Sequence, residues 1–290
     1  NPQTRISKSI PCCRDTQVQV YGPEAIQNYT QRGWADRVLY KGDRRKPAYY
    51  DNGAPGRPSH LSLPIDFSNP DVVAWQVEQF GQPAAAAGYD VLALDNTILE
   101  NAWGACGVWR TPTKWVQLYN GSSLDAAFQS AVVGWLGAPK AKINALTTRR
   151  GEPMRIIPNF ALHQFKWNDD AILGVGNATD GILSESGFIG GGWRGPGQPY
   201  DYLGDAWAQR VRFALNLQKA GKAYYSINSY GDHTNHSQHC DTDPHACITS
   251  AVRQWVLASY LMGKQQASGI ALYQLLAPLG SEHGYGNWSA

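Results

Sequence analysis

The sequence predicts an α/β protein of the (β/α)8 TIM-barrel type, with an N-terminal part that is irregular or incomplete. Three observations predict this. From about Ser62 onward, short apolar runs alternate with helix-like stretches, the βαβα pattern of a parallel sheet. The clearest of these runs is nearly all apolar, as a strand buried on both faces is. The length, 290 residues, is near the ~250 typical of one such barrel.

Taken in order, Leu61 to Phe67 reads as a strand that carries Asp66 near its end. Asn69-Pro70-Asp71 then starts a helix, because a proline suits the first helical turn and the flanking polar side chains suit its cap. That helix runs roughly to Ala87. Tyr89 to Asp95 is the clearest strand, and a Gly- and Trp-rich loop follows it from Asn101 to Lys114. A helix is expected from about Ser123 to Leu136, then a strand from Met154 to Asn159 and another from Asp180 to Glu185. Tyr202 to Ala220 reads as an amphipathic helix capped by Gly221. Lys222 to Asn228 is a strand, Ile248 to Met262 a helix and Gly269 to Gln274 the last strand. Residues 1–60 form an N-terminal segment from which Thr16–Tyr21 and Arg37–Tyr40 would supply the first two strands. Residues 61–290 form the main body of a single barrel.

Composition narrows the function classes. Net charge is +2, and no run of Lys and Arg is interleaved with aromatics, so nothing calls for a nucleic-acid partner. The cluster Lys41, Arg44, Arg45 and Lys46 reads as a solvated loop. No stretch approaches the ~18 consecutive apolar residues of a membrane span. The ends, at Asn1-Pro2 and Trp288-Ser289-Ala290, read as those of a mature chain or of a segment of something longer. There are five cysteines. Cys240 and Cys247 close a short loop that a local disulfide suits in an oxidising compartment. Cys106 can pair with Cys12 or with Cys13, leaving one thiol over. Sequons at Asn28, Asn120, Asn177, Asn235 and Asn287 point to a secreted or cell-surface glycoprotein if the source is a eukaryote.

Active sites of (β/α)8 barrels lie at the C-terminal ends of the strands, so polar residues closing apolar strands are informative. Here these are Asp66, Asp95, Asn96, Asn159, Glu185, Asn228 and Gln274. Such a set suits a polyhydroxylated ligand, whose hydroxyls each want a donor or an acceptor. Glycoside hydrolysis needs two carboxylates, one acid for the leaving oxygen and one nucleophile or base. Asp95 and Glu185 form the natural pair, on the fourth and sixth strands of this reading, with Asp95 as nucleophile and Glu185 as acid. Each has a structural alternative, a helix-capping or loop-bonding role for Asp95 and a buried ion pair for Glu185. Asp66 is split between a ligand role and a plain turn into the next helix. Glu100 is a substitute second carboxylate. Trp103, with Trp109 and Trp115, suits either a sugar-stacking platform or loop packing.

The His-rich loop from Asp232 to Cys247 does not match a common zinc spacing and reads as a disulfide-pinned polar loop. No cofactor and no metal are expected.

Gly88-Tyr-Asp-Val-Leu-Ala-Leu-Asp-Asn96, Ile156-Ile-Pro-Asn159 and Asp180-Gly-Ile-Leu-Ser-Glu185 together resemble strand motifs of glycoside hydrolase barrels. The group is that of the endo-α-1,4-polygalactosaminidase-like barrels (glycoside hydrolase family 114) and their relatives. The resemblance covers about residues 60 to 275 and implies that Asp95 and Glu185 correspond to the catalytic pair. The chain departs from the pattern with Val91 where glycine is common. The expectation is a glycoside hydrolase acting on an extracellular polysaccharide, with Asp66, Asn96, Trp103, Asn159, Asn228 and Gln274 binding substrate. The alternative is a non-catalytic glycan-binding or structural barrel module of an extracellular glycoprotein assembly.

Overall fold

The computed structural model describes residues 7–11, 31, 33–45, 48, 50–51, 61–62, 64–160, 169–184, 188, 205–230, 250–265 and 272–278. It is an α/β fold with parallel strand pairing, and the chain divides into two compact units. Strand β7 (Arg155–Phe160) contributes its first four residues to one unit and its last two to the other.

In the first unit, β1 (Ser7–Pro11) runs parallel to β4 (Val91–Thr97), and the strand order is β1-β4-β7. The first parallel strand therefore lies nearer the N-terminus than Thr16–Tyr21, which falls outside the described residues. Arg37–Tyr40, expected as a strand, instead ends a 3-10 turn (Ala35–Arg37) and makes isolated antiparallel bridges from Val38 to Ile65 and from Tyr40 to Gly107. Leu61–Phe67 also departs from expectation. Only Leu61–Ser62 (β3) is a strand, paired antiparallel with Tyr50–Asp51 (β2). The apolar residues in both segments were real burial signals, because Val38, Leu39, Ile65 and Phe67 are all fully buried. They cover the unit as irregular chain, and the pattern of apolar residues alone does not distinguish that from a ladder strand.

Helix α1 (Pro70–Gln76) starts as expected, with the Asn69 side chain accepting from the Asp71 amide. It continues through a π-helical turn (Val77–Gly81) into α2 (Gln82–Ala86). The wide turn precedes Pro83, which has no N–H to donate and whose ring crowds the carbonyl four residues back. Helix α3 (Ala126–Asn144) is capped by Asp125, whose Oδ1 accepts from the amides of Ala127 and Phe128 at 2.9 and 3.2 Å. It runs past the expected stop at Leu136 with Pro139 inside it. A mid-helix proline costs about 3 kcal/mol. Burial of Leu136, Pro139 and Ile143 along one face offsets that cost. Phe67 meets Phe128 and Trp135 edge-on at 5.5 and 6.2 Å, and the Trp135 indole donates to Gln76 at 2.9 Å.

In the second unit the order is β7-β8-β9-β10, where β8 is Gly181–Ser184, β9 is Ala223–Tyr230 and β10 is Leu272–Pro278. Every pairing is parallel, and the strand order follows the chain order. Helices α4 (Asp170–Ala178), α5 (Asp205–Lys219) and α6 (Ser250–Gly263) alternate with the strands. Val211, Phe213, Ala214 and Leu217 form the buried face of α5. The buried Gln218 amide clips that helix to the end of α6, donating to the carbonyls of Ala214 and Gly263 at 2.9 and 2.6 Å. The Trp207 indole donates to Ser259 at 2.8 Å. Gly221, at φ 75°, ends α5 as expected. The last strand runs on past its expected end to Pro278, which places Gln274 inside β10 rather than at its end.

Among the described residues, the strands ordered in these sheets are β1, β4 and β7 to β10, so an eight-stranded barrel is not seen as such. No described helix is long and apolar enough to cross a membrane.

Gly181 lies close against β9. A Cβ there would lie 2.6 Å from the Ala223 carbonyl oxygen. Gly181→Ala is expected to destabilise the second unit by about 1–3 kcal/mol, because backbone must move to admit the methyl group. Urea unfolding followed by circular dichroism measures it.

Candidate functional site

Asp95 lies on β4, two residues before the end of the strand, in register with Pro11. Leu92 and Leu94 on its N-terminal side are buried, whereas Asp95 is partly exposed. The strand carries on through Asn96 to Thr97 because Thr97 is β-branched and fully buried, with its hydroxyl donating to the Leu94 carbonyl at 3.4 Å. Asp95 is thus a half-buried carboxylate on an apolar parallel strand. Asn96 follows it in the same strand, and Glu100 is partly buried in the connection beyond.

That connection is not the plain loop the sequence suggested. Asn101 folds it into a buried turn, donating to the Ala105 carbonyl and accepting from the Ala105 amide at 2.8 and 2.9 Å. Leu99, Trp103, Ala105 and Cys106 are buried by that turn. Trp103, only 8 % exposed, packs the loop and offers little ring to a ligand. A hairpin follows, β5 (Gly107–Thr111) with β6 (Lys114–Gln117). It carries Trp109 directly opposite Trp115.

Asp66 is fully buried, and both of its carboxylate oxygens have partners. One lies 2.7 Å from an Arg110 guanidinium nitrogen; the other accepts from the Ser68 hydroxyl at 2.5 Å. Arg110 also donates to the Asp36 carbonyl at 3.0 Å. The Asp66 carbonyl accepts from the Asn69 amide, which makes the turn into α1. Of the two readings of Asp66, the structure supports the turn. Arg110 was not picked out from the sequence, because nothing local marks the partner of a residue 44 positions away.

The elevated pKa values of the unit follow from this burial. The Tyr119 phenol is 4 % exposed, and burial pushes its pKa well above the usual range, with the Asp66 carboxylate adding to the shift. The Cys106 thiol is likewise raised, first by burial and then by Asp125.

Among the remaining expected residues, Asn159 lies on β7 in register with Leu183, Asn228 on β9 in register with Leu276, and Gln274 on β10 in register with Ser226. Asn228 sits two residues inside the end of its strand. Glu185, the residue after the last of β8, lies outside the described residues. So do the His-rich loop with Cys240 and Cys247, and the sequons at Asn28, Asn235 and Asn287. Asn120 and Asn177 are both exposed, Asn177 near the end of α4. Cys106 is a buried free thiol, and its candidate partners Cys12 and Cys13 lie outside the described residues. No group of three or more potential metal ligands occurs among the described residues.

No family model matches the chain. No curated protein matches it. Solved structures with partial likeness include a cycloalternan-degrading enzyme from Trueperella pyogenes, with 12 % identity and a TM-score of 0.47 over 96 % of this chain and 30 % of that one. A cycloisomaltooligosaccharide glucanotransferase from Paenibacillus sp. has 15 % identity and a TM-score of 0.43 over 70 % of this chain and 25 % of that one. The glycoside hydrolase domain of PelA from Pseudomonas aeruginosa has 13 % identity and a TM-score of 0.37, covering 77 % and 66 %. All three are carbohydrate-active proteins, and the chain spans less than a third of the length of the first two. At these scores the likeness assigns neither a family nor a substrate.

Two outcomes follow from the geometry. Asp66→Asn leaves the partly exposed Arg110 without its countercharge and is expected to cost about 1–3 kcal/mol of stability, read by thermal or urea unfolding. Cys106 is expected to resist iodoacetamide in the native protein at neutral pH and to react on denaturation without reductant. Peptide mass mapping reads both states.

Proposed function

We propose that the chain is a glycoside hydrolase with a (β/α)8-type framework, in which Asp95 and Glu185 are the catalytic carboxylates. The observation that carries the reading is Asp95 itself, a partly exposed carboxylate near the C-terminal end of an otherwise apolar parallel strand. Glu185 directly follows β8, a second parallel strand, in the sequence. Strand order that follows chain order, with helices between, supports a singly wound barrel. The likeness of the strand motifs to the polygalactosaminidase-like barrels supports the same framework and carboxylate pair, and carries no substrate over to this chain.

In this mechanism Glu185 protonates the leaving glycosidic oxygen as the aglycone departs. Asp95 attacks the anomeric carbon to form a glycosyl-enzyme, which water then hydrolyses with Glu185 as base. Asn96, Asn159, Asn228 and Gln274 supply hydrogen-bonding groups for sugar hydroxyls. The same reading brings a secreted setting, a Cys240–Cys247 disulfide and glycans on exposed sequons.

A second reading, a glycan-binding module without catalysis, is favoured by one feature, the partly exposed indole pair of Trp109 and Trp115. Reducing-end release from a polysaccharide panel separates the two. Asp95→Asn and Glu185→Gln are each expected to lower release by about 10²–10⁴-fold while the circular dichroism spectrum is kept. Parent-level release in both variants would overturn the assignment.

A further inference from the structure

A cationic aromatic ledge stands on the connection that leaves the Asp95 strand. Trp109 and Trp115 face each other across the β5–β6 hairpin with centroids 5.4 Å apart at 64°. Both are only partly buried. Each indole N–H is already committed, that of Trp109 to the Arg44 carbonyl at 3.0 Å and that of Trp115 to the Gln117 side chain at 3.1 Å. The rings are therefore held in place before any ligand arrives, which lowers the ordering cost of binding. Gly107 leaves room for this arrangement, since a Cβ there would lie 2.7 Å from the Trp115 ring.

Arg44 comes from the turn that docks against this hairpin, where Tyr40 bridges Gly107. Its guanidinium lies 5.4 Å from the Trp115 ring centroid, and its backbone sits at φ 58°, the left-handed region that non-glycine residues seldom adopt. Strain of this sort clusters at functional positions. Lys41 and Arg45 are exposed on the same turn. The turn's own acid, Asp43, directs one oxygen at the Arg45 amide. The turn therefore carries an excess of positive charge beside two presented rings.

We propose that this ledge is a binding subsite for an acidic polysaccharide. The Arg44 guanidinium takes a sugar carboxylate through its paired N–H groups, and the pyranose rests on the indoles. The proposal rests on the reading of the chain as carbohydrate-active, and it names the substrate class, an anionic chain rather than a neutral or cationic one.

The test is affinity electrophoresis of the full chain in gels containing polygalacturonate, dextran or chitosan. Retardation by polygalacturonate alone is expected. Arg44→Gly suits the φ 58° backbone, so its melting temperature is expected at or above that of the parent while affinity falls about tenfold. Arg44→Gln is expected to lose affinity similarly without a change of backbone preference. Lys142→Gln, an exposed charge on α3, is expected to bind as the parent does. Equal retardation by dextran, retardation by chitosan, parent-level affinity in either Arg44 variant, or an equal loss in Lys142→Gln would overturn the proposal. Asp95→Asn separates the two readings. Retained binding with lost hydrolysis supports both, and retained binding with unchanged hydrolysis removes only the catalytic assignment.

Discussion

The ion pair between the buried Asp66 and the partly exposed Arg110 ties the first unit together. A carboxylate with no solvent contact is tolerated only where it is paired and hydrogen-bonded, and Asp66 has Arg110 on one oxygen and Ser68 on the other. The pair joins segments far apart in the chain. Asp66 begins the turn into α1, Arg110 lies on β5, and the second guanidinium bond reaches the Asp36 carbonyl. Phe67, next to Asp66, places its ring among Tyr119, Phe128 and Trp135. The polar anchor thus sets where the apolar cluster forms, and the hairpin that presents Trp109 and Trp115 is fastened by the same arginine.

The carboxylates of this unit differ in their burial. Asp66 and Asp125 are both buried and both spend their oxygens inside the unit, Asp66 on Arg110 and Ser68, Asp125 on the amides that begin α3. Asp95 differs in being partly exposed on a strand whose neighbours are apolar. The proposed catalytic role rests on that difference. The ledge adds a source of selectivity from chain that a plain βα connection would lack, since a hairpin is inserted between β4 and α3.

Much of the fold was legible in the sequence. The cap at Asn69 with Pro70 behind it, the apolar run into Asp95, the strand at Arg155–Phe160 and the amphipathic helix ending at Gly221 all appear where local chemistry put them. The departures were of two kinds. Arg37–Tyr40 and Leu61–Phe67 are apolar because they are buried, yet they cover the unit without joining its parallel ladder. The helix expected to end at Leu136 instead runs to Asn144, because the buried face of α3 carries it on past Pro139.

By itself the sequence determined the elements governed by short-range physics: periodicity, caps, turn glycines, and the apolar strand that bears Asp95. Only the tertiary structure decided the rest. It chose β1 as the strand beside β4, paired Asp66 with Arg110 across 44 positions, buried Trp103 and left Trp109 and Trp115 partly exposed. These outcomes depend on contacts between residues distant in the chain. Such contacts form only when burial and hydrogen bonding together outweigh the entropy of bringing the segments into register, and no local pattern records which segments will meet.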